Sequence, residues 1–155
     1  MKKLGTRSAL KVLGIGFVLQ FAIQMVFSLI MFHFDISNSN NSMLEEELKQ
    51  NWMVYGLLLV VVSPVIEELI NRYLLFLWPL KKLSRWLFFQ KKKGVFVCAI
   101  VSSALFASLH GELFLWPYLA IGLVYCWVAK RINITASICL HIVNNGFLFW
   151  IMLAS

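Results

Sequence analysis

Long apolar stretches separated by short polar or basic ones run through the whole chain. A helix rises about 1.5 Å per residue, so roughly 20 apolar residues cross the hydrocarbon layer of a membrane. On that ruler the pattern predicts five spans: Val12 to Phe32, Trp52 to Leu80, Val95 to His110, Leu113 to Ala129 and Ile134 to Leu153. The third and fourth are short, and Gly111 is the turn signal between them. Asp35 to Asn51 is polar, with an Asn/Ser-rich start and the acids Glu45, Glu46 and Glu47, and reads as an exposed loop. No internal repeat and no separate soluble domain shows. The expected fold class is all-α, a polytopic membrane bundle. Residues 1–51 form an N-terminal helix and acidic loop, and residues 52–155 form the core.

Composition supports the membrane reading. The 155 residues are 61% hydrophobic and 14% charged, whereas a soluble domain is about 25% charged. A soluble protein of this size could not hide that much apolar surface in one core. The net charge of +7 raises nucleic acid or an anionic membrane surface as partner. Position decides between them. Lys2, Lys3, Arg7 and Lys11 form one group, Lys81, Lys82, Arg85, Lys91, Lys92 and Lys93 a second, and Lys130 and Arg131 a third. Each abuts an apolar stretch, which is topology signal and excludes a nucleic-acid stripe. The rule that basic loops stay inside puts the N-terminus inside and, with five spans, the C-terminus outside. The stretch from Ala9 to Phe34 is too long for a signal-peptide core, and no small-residue cleavage site follows, so it reads as a retained helix. Cys98, Cys126 and Cys139 lie in apolar runs without ligand spacing and read as small core residues.

The second span carries charge where none is expected: Glu67, Glu68 and Arg72, followed by more apolar residues up to Lys81. A charged residue at a helix centre costs about 2.5–3.5 kcal/mol on insertion scales, and intramembrane ionisable groups mark function by default. Glu68 and Arg72 are four apart, stacked on one face and able to pair. Glu67 points about 100° away from Glu68, towards a different neighbour. The pair reads as a brace and Glu67 as the working carboxylate. The bland alternative is a buried structural ion network.

His110 closes the third span, and His141 and Asn145 share a face of the fifth. Singly they would read as a helix-end residue and as interhelical glue. Measured from the basic boundaries, Glu67 lies about 20 Å deep, His110 about 25 Å, His141 about 15 Å and Asn145 about 21 Å. Three helices thus place polar groups within roughly 10 Å of one level, which points to a shared wet cavity. A carboxylate there can take a proton from water and return it. Neutral His and Asn side chains can donate to a developing oxyanion. Glu67, His110 and His141 also form a zinc set with one position open to water, so the cofactor is either none or Zn2+. Ser102, Ser103 and Ser108 read as helix-packing residues.

Glu67-Glu68 with Arg72, then Phe106 with His110, then His141 with Asn145, in that order on three helices, resembles the CAAX-processing and bacteriocin-processing (CPBP, or Abi) protease family. The likeness covers Trp52 to Trp150. It implies a helical intramembrane endopeptidase acting on a peptide or membrane-protein substrate within the lipid bilayer. By the resemblance, Glu67 and His110 activate water, His141 and Asn145 stabilise the oxyanion or help hold a metal, and Glu68 and Arg72 brace the site. The chain is short for that family, which points to a more open cavity or to a homodimer. A bacterial plasma membrane, with bacteriocin processing or self-immunity as the role, fits the compact size. The competing readings are a non-catalytic immunity or binding protein and a small proton-coupled transporter subunit. Transporters more often show internal repeats and broken helices, and the sequence shows neither.

Overall fold

The computed structural model describes residues 4–36, 51–110 and 114–154, and every regular element in them is helical. The elements are α1 (Thr6–His33), α2 (Asn51–Lys82), α3 (Leu87–Gln90), α4 (Lys92–Ser108), α5 (Trp116–Arg131) and α6 (Ile134–Ala154). The acidic run Glu45 to Glu47 and the turn at Gly111 lie outside the described residues. Helices thus stand at all five expected positions. Three of them, α1, α2 and α6, are long and apolar enough to cross a membrane by length and composition. With 17 and 16 residues, α4 and α5 are shorter than a usual span.

The shortest of the five is the centre of the bundle. α5 packs against α1, α2, α4 and α6. It buries Ile121, Gly122, Val124, Tyr125, Cys126, Val128 and Ala129. On one side Ile121, Val124, Tyr125 and Val128 join Leu140 of α6, with Val12, Leu13 and Ile23 of α1 packed against them. On the other, Cys126 meets Phe76 of α2 and Cys98 of α4. α1 therefore belongs to the packed bundle. The outer faces keep large apolar side chains exposed, among them Leu29, Phe32, Leu109 and Trp150. In lipid such faces need no protein cover.

Gly122 sets the approach of α5 to α4. A Cβ built there would lie 2.9 Å from Ser103 Cβ and 3.2 Å from Ser103 Cα. Gly122→Ala is expected to wedge the two helices apart at a cost of about 1–3 kcal/mol, read as a lower unfolding temperature in detergent micelles. Cys98 and Cys126 are buried, whereas Cys139 is exposed, which corrects its expected place in the core. It sits two residues from both Ser137 and His141, hence on roughly the opposite side of α6 from their inward row.

α2 runs unbroken from Asn51 to Lys82, as expected, but it is not uniformly wound. It takes π-helical geometry over Leu58–Val62 and again over Leu69–Leu77. A proline follows each stretch, Pro64 and Pro79. Proline has no N–H to give, and its ring crowds the carbonyl one turn earlier, so the preceding turn widens.

Candidate active site

Polar side chains enter the bundle as rows four residues apart, the spacing that stacks groups on one helix face. α2 carries Ser63, Glu67 and Asn71 in one row and Glu68 and Arg72 in the next; α6 carries Ser137, His141 and Asn145. Glu68 and Arg72 are fully buried, with Glu68 Oε1 3.5 Å from Arg72 Nε. The other Glu68 oxygen accepts from the Ser137 hydroxyl at 2.5 Å, and that hydroxyl also lies 3.2 Å from the Tyr125 carbonyl. The Arg72 guanidinium lies over the Phe106 ring, 4.4 Å from its centroid, and 5.5 Å from that of Tyr125. An ion pair and two aromatic faces thus hold the cation in place.

Glu67 is set differently. Its side chain keeps 22% of its surface exposed. One carboxylate oxygen accepts from Ser63, and its backbone carbonyl accepts from the Asn71 amide at 3.0 Å. His141 stands between the two glutamates. Its Nδ1 approaches Glu68 Oε1 to 3.3 Å and its Nε2 approaches Glu67 Oε2 to 3.8 Å. The 100° between the carboxylates therefore does not give them separate neighbours, as the sequence led us to expect. One buried imidazole fills the wedge and faces both. The Tyr125 ring supports it from the side, with centroids 4.7 Å apart.

His110 follows the end of α4. Its Nδ1 lies 2.9 Å from the Phe106 carbonyl. A carbonyl only accepts, so Nδ1 carries the proton there and Nε2 is the acceptor in the neutral ring. The imidazole stacks on Tyr118, with centroids 4.0 Å apart, and meets Phe106 edge-on at 4.8 Å. Phe106 also contacts His141 at 5.8 Å, so one ring spaces the two histidines. His110 lies within electrostatic reach of Glu67, His141 and Arg72.

Asn145 has a partner that explains its position. The Ser63 N–H bonds to the Leu58 carbonyl in the π register. The same register would give the Leu59 carbonyl to Pro64, which has no N–H. The Asn145 amide supplies the missing donor, 3.0 Å from that carbonyl. One amide hydrogen is thus spent on α2 and the other remains.

A family model described as type II CAAX prenyl endopeptidase Rce1-like matches residues 49–147, more than half of the chain. The chain belongs to the Rce1-like family. No curated protein and no solved structure matches it. The Rce1-like family is one of CAAX-type endopeptidases, so a multi-pass, membrane-embedded hydrolase is the frame for these residues. The matched segment holds Glu67, Glu68, Arg72, His110, His141 and Asn145 and leaves out α1.

Several groups of this Rce1-like site escaped the sequence reading. Ser63, Asn71 and Ser137 each sit four residues from a named site residue, and that spacing was the available signal. The spacing of Ser102 predicts a packing residue only, yet its buried hydroxyl donates to the Asn71 carbonyl at 2.6 Å. Gln20 and Gln24 of α1, also four apart, carry the same spacing. Gln20 is buried and Gln24 donates to Asn144 at 3.0 Å, tying α1 to the helix that carries His141. Glu67, His110 and His141 do not converge as a ligand set. Among the described residues no three His, Cys, Asp or Glu side chains are gathered to hold a metal ion. No chemical step is therefore drawn through zinc.

Proposed function

We propose that this Rce1-like chain is an intramembrane endopeptidase in which Glu67 activates a water for attack on a peptide bond of a peptide or membrane-protein substrate. One observation carries the reading. Glu67 Oε2, a buried oxygen with no hydrogen-bond partner among the described residues, and His141 Nε2 face each other across 3.8 Å. That gap is too long for a direct hydrogen bond, which leaves the Glu67 oxygen able to accept from a water. Glu67 takes a proton from the water while the water oxygen bonds to the scissile carbonyl carbon, whose π electrons move onto the carbonyl oxygen. The oxyanion that forms is met by the remaining amide hydrogen of Asn145 and by the Nε2–H of His141 as an imidazolium, whose Nδ1–H donates to Glu68. Glu67 then returns the proton to the departing amine as the C–N bond breaks. His110, within electrostatic reach of Glu67, assists it in activating the water, while Glu68, Arg72 and Ser137 fix His141.

In this reading the basic loops lie inside, the host is a bacterial plasma membrane, and the role is peptide maturation or self-immunity. The test is wild-type protein in proteoliposomes with prenylated and unprenylated peptides, fragments being read by mass spectrometry. Wild type is expected to release fragments, and His110→Ala to lose cleavage by roughly 10²-fold while still folding. Equal cleavage by both proteins would remove His110 from the chemistry, and no fragment from wild type with any peptide would favour a non-catalytic role.

Chelation separates the two cofactor readings, and a rate unchanged by it would favour a metal-free water. Loss restored by added zinc would move the water onto a metal held by Glu67, His110 and His141. Glu67, His110 and His141 within the bundle also suit a proton relay, so the second reading is transport. That reading requires a solute gradient that collapses with the proton gradient.

A further inference from the structure

A cavity of about 750 Å³ lies among the ends of α1, α2, α4 and α5, and none of Glu67, His110 and His141 lines it. Its wall is apolar, with Phe76 from α2, Phe96 from α4 and Trp127 from α5. Lys92, Lys130 and Arg131 stand at it as well. Lys92 begins α4 while Lys130 and Arg131 end α5, so the two closely packed helices bring three cations to one place. Lys130 and Arg131 are adjacent in the chain, so two like charges stand side by side at the cavity. The carboxylates among the described residues are Asp35, just beyond the far end of α1, and Glu67 and Glu68 in the site, so none lines this cavity.

An apolar slot with a basic mouth matches one kind of molecule in a membrane. We propose that the cavity binds a glycerophospholipid with an anionic headgroup, its phosphate between Lys92, Lys130 and Arg131 and its acyl chains along Phe76, Phe96 and Trp127. Basic pockets between membrane helices take anionic headgroups in this way, and the exposed Phe96 ring gives the chains an apolar edge to lie on. Free phosphate would satisfy the cations but leave the aromatic wall without an occupant. The bound lipid would tie α4 to α5 one helix end away from the catalytic groups. The inference stands on the cavity alone and does not need the protease reading.

Native mass spectrometry of the delipidated full chain tests it, with phosphatidylglycerol and phosphatidylcholine of identical acyl chains. Wild type is expected to retain phosphatidylglycerol about tenfold better. The triple substitution Lys92→Gln, Lys130→Gln and Arg131→Gln is expected to weaken that retention about 10- to 100-fold. The charge-matched triple Lys81→Gln, Arg85→Gln and Lys93→Gln should change it by less than about twofold. Ala99→Phe keeps all three cations, fills the slot from α4 and is expected to lose the lipid about tenfold. Equal retention of the two lipids, or equal loss in both charge triples, overturns the proposal. Inorganic phosphate displacing the lipid at equal concentration would make this a phosphate site instead, and retention in a folded Ala99→Phe would remove the acyl seat. The charge substitutions lie at exposed or half-buried positions, so the proposal stays open to refutation even where Ala99→Phe fails to fold.

Discussion

Glu67→Gln is expected to reduce peptide cleavage by roughly 10²–10⁴-fold, about 2.7–5.4 kcal/mol of barrier, while leaving the unfolding free energy within about 0.5 kcal/mol of wild type. Both halves come from the same geometry. The amide keeps the shape of the carboxylate and an oxygen that can accept from Ser63, so the local hydrogen bond survives. It cannot take a proton from water, so the base is gone. The partial exposure of the side chain means that no buried charge is stranded by the change. Initial rates in proteoliposomes, with thermal unfolding of the same preparations, check the two halves together. A variant that unfolds easily would show Glu67 to be part of the brace. One that cleaves at the wild-type rate would remove it from the chemistry.

The neighbouring carboxylate is expected to behave in the opposite way. Arg72→Met should destabilise the bundle by about 3–5 kcal/mol, because it leaves Glu68 buried without its cation. Glu68→Gln alone should cost a similar amount, since it strands the guanidinium between Phe106 and Tyr125 and weakens the acceptor of Ser137. The double variant Glu68→Gln with Arg72→Met is expected to cost less than the sum of the singles by about 2 kcal/mol or more, the mark of two groups that fail together. Unfolding free energies in bicelles provide the cycle. Strict additivity would show that the pair is held by its surroundings and not by its partner. Adjacent positions would then divide cleanly, with Glu67 lost as rate and Glu68 as fold.

Much of this was legible because lipid makes polarity conspicuous. In a soluble core Glu67, Glu68 and Arg72 would be three charges among many. In an apolar span they stand out, and their four-residue spacing to Arg72 and Asn71 is a matter of helix geometry. What escaped depended on helices meeting. That His141 faces both glutamates requires knowing how α6 is rotated against α2. That Tyr125 supports His141 requires knowing that the short α5 is central. The partner of Asn145 could have been found only by following Pro64 back along its helix to the Leu59 carbonyl it leaves without a donor. The two prolines stand in the sequence, whereas the wider winding of α2 before each of them shows only in the structure.

The placement of α5 also bears on how the chain is assembled. At 16 residues it is a poor candidate to partition into lipid by itself, and its inner position spares it from having to. Long helices that insert one at a time and then associate describe α1, α2 and α6 well. The core of the bundle instead has to enter the bilayer in company, with α4 on one side and α6 on the other covering a segment the bilayer would not readily accept alone. Biogenesis of this protein would then be cooperative at its centre. Substitutions along α5 should show first as failed insertion and degradation, before they show as altered catalysis.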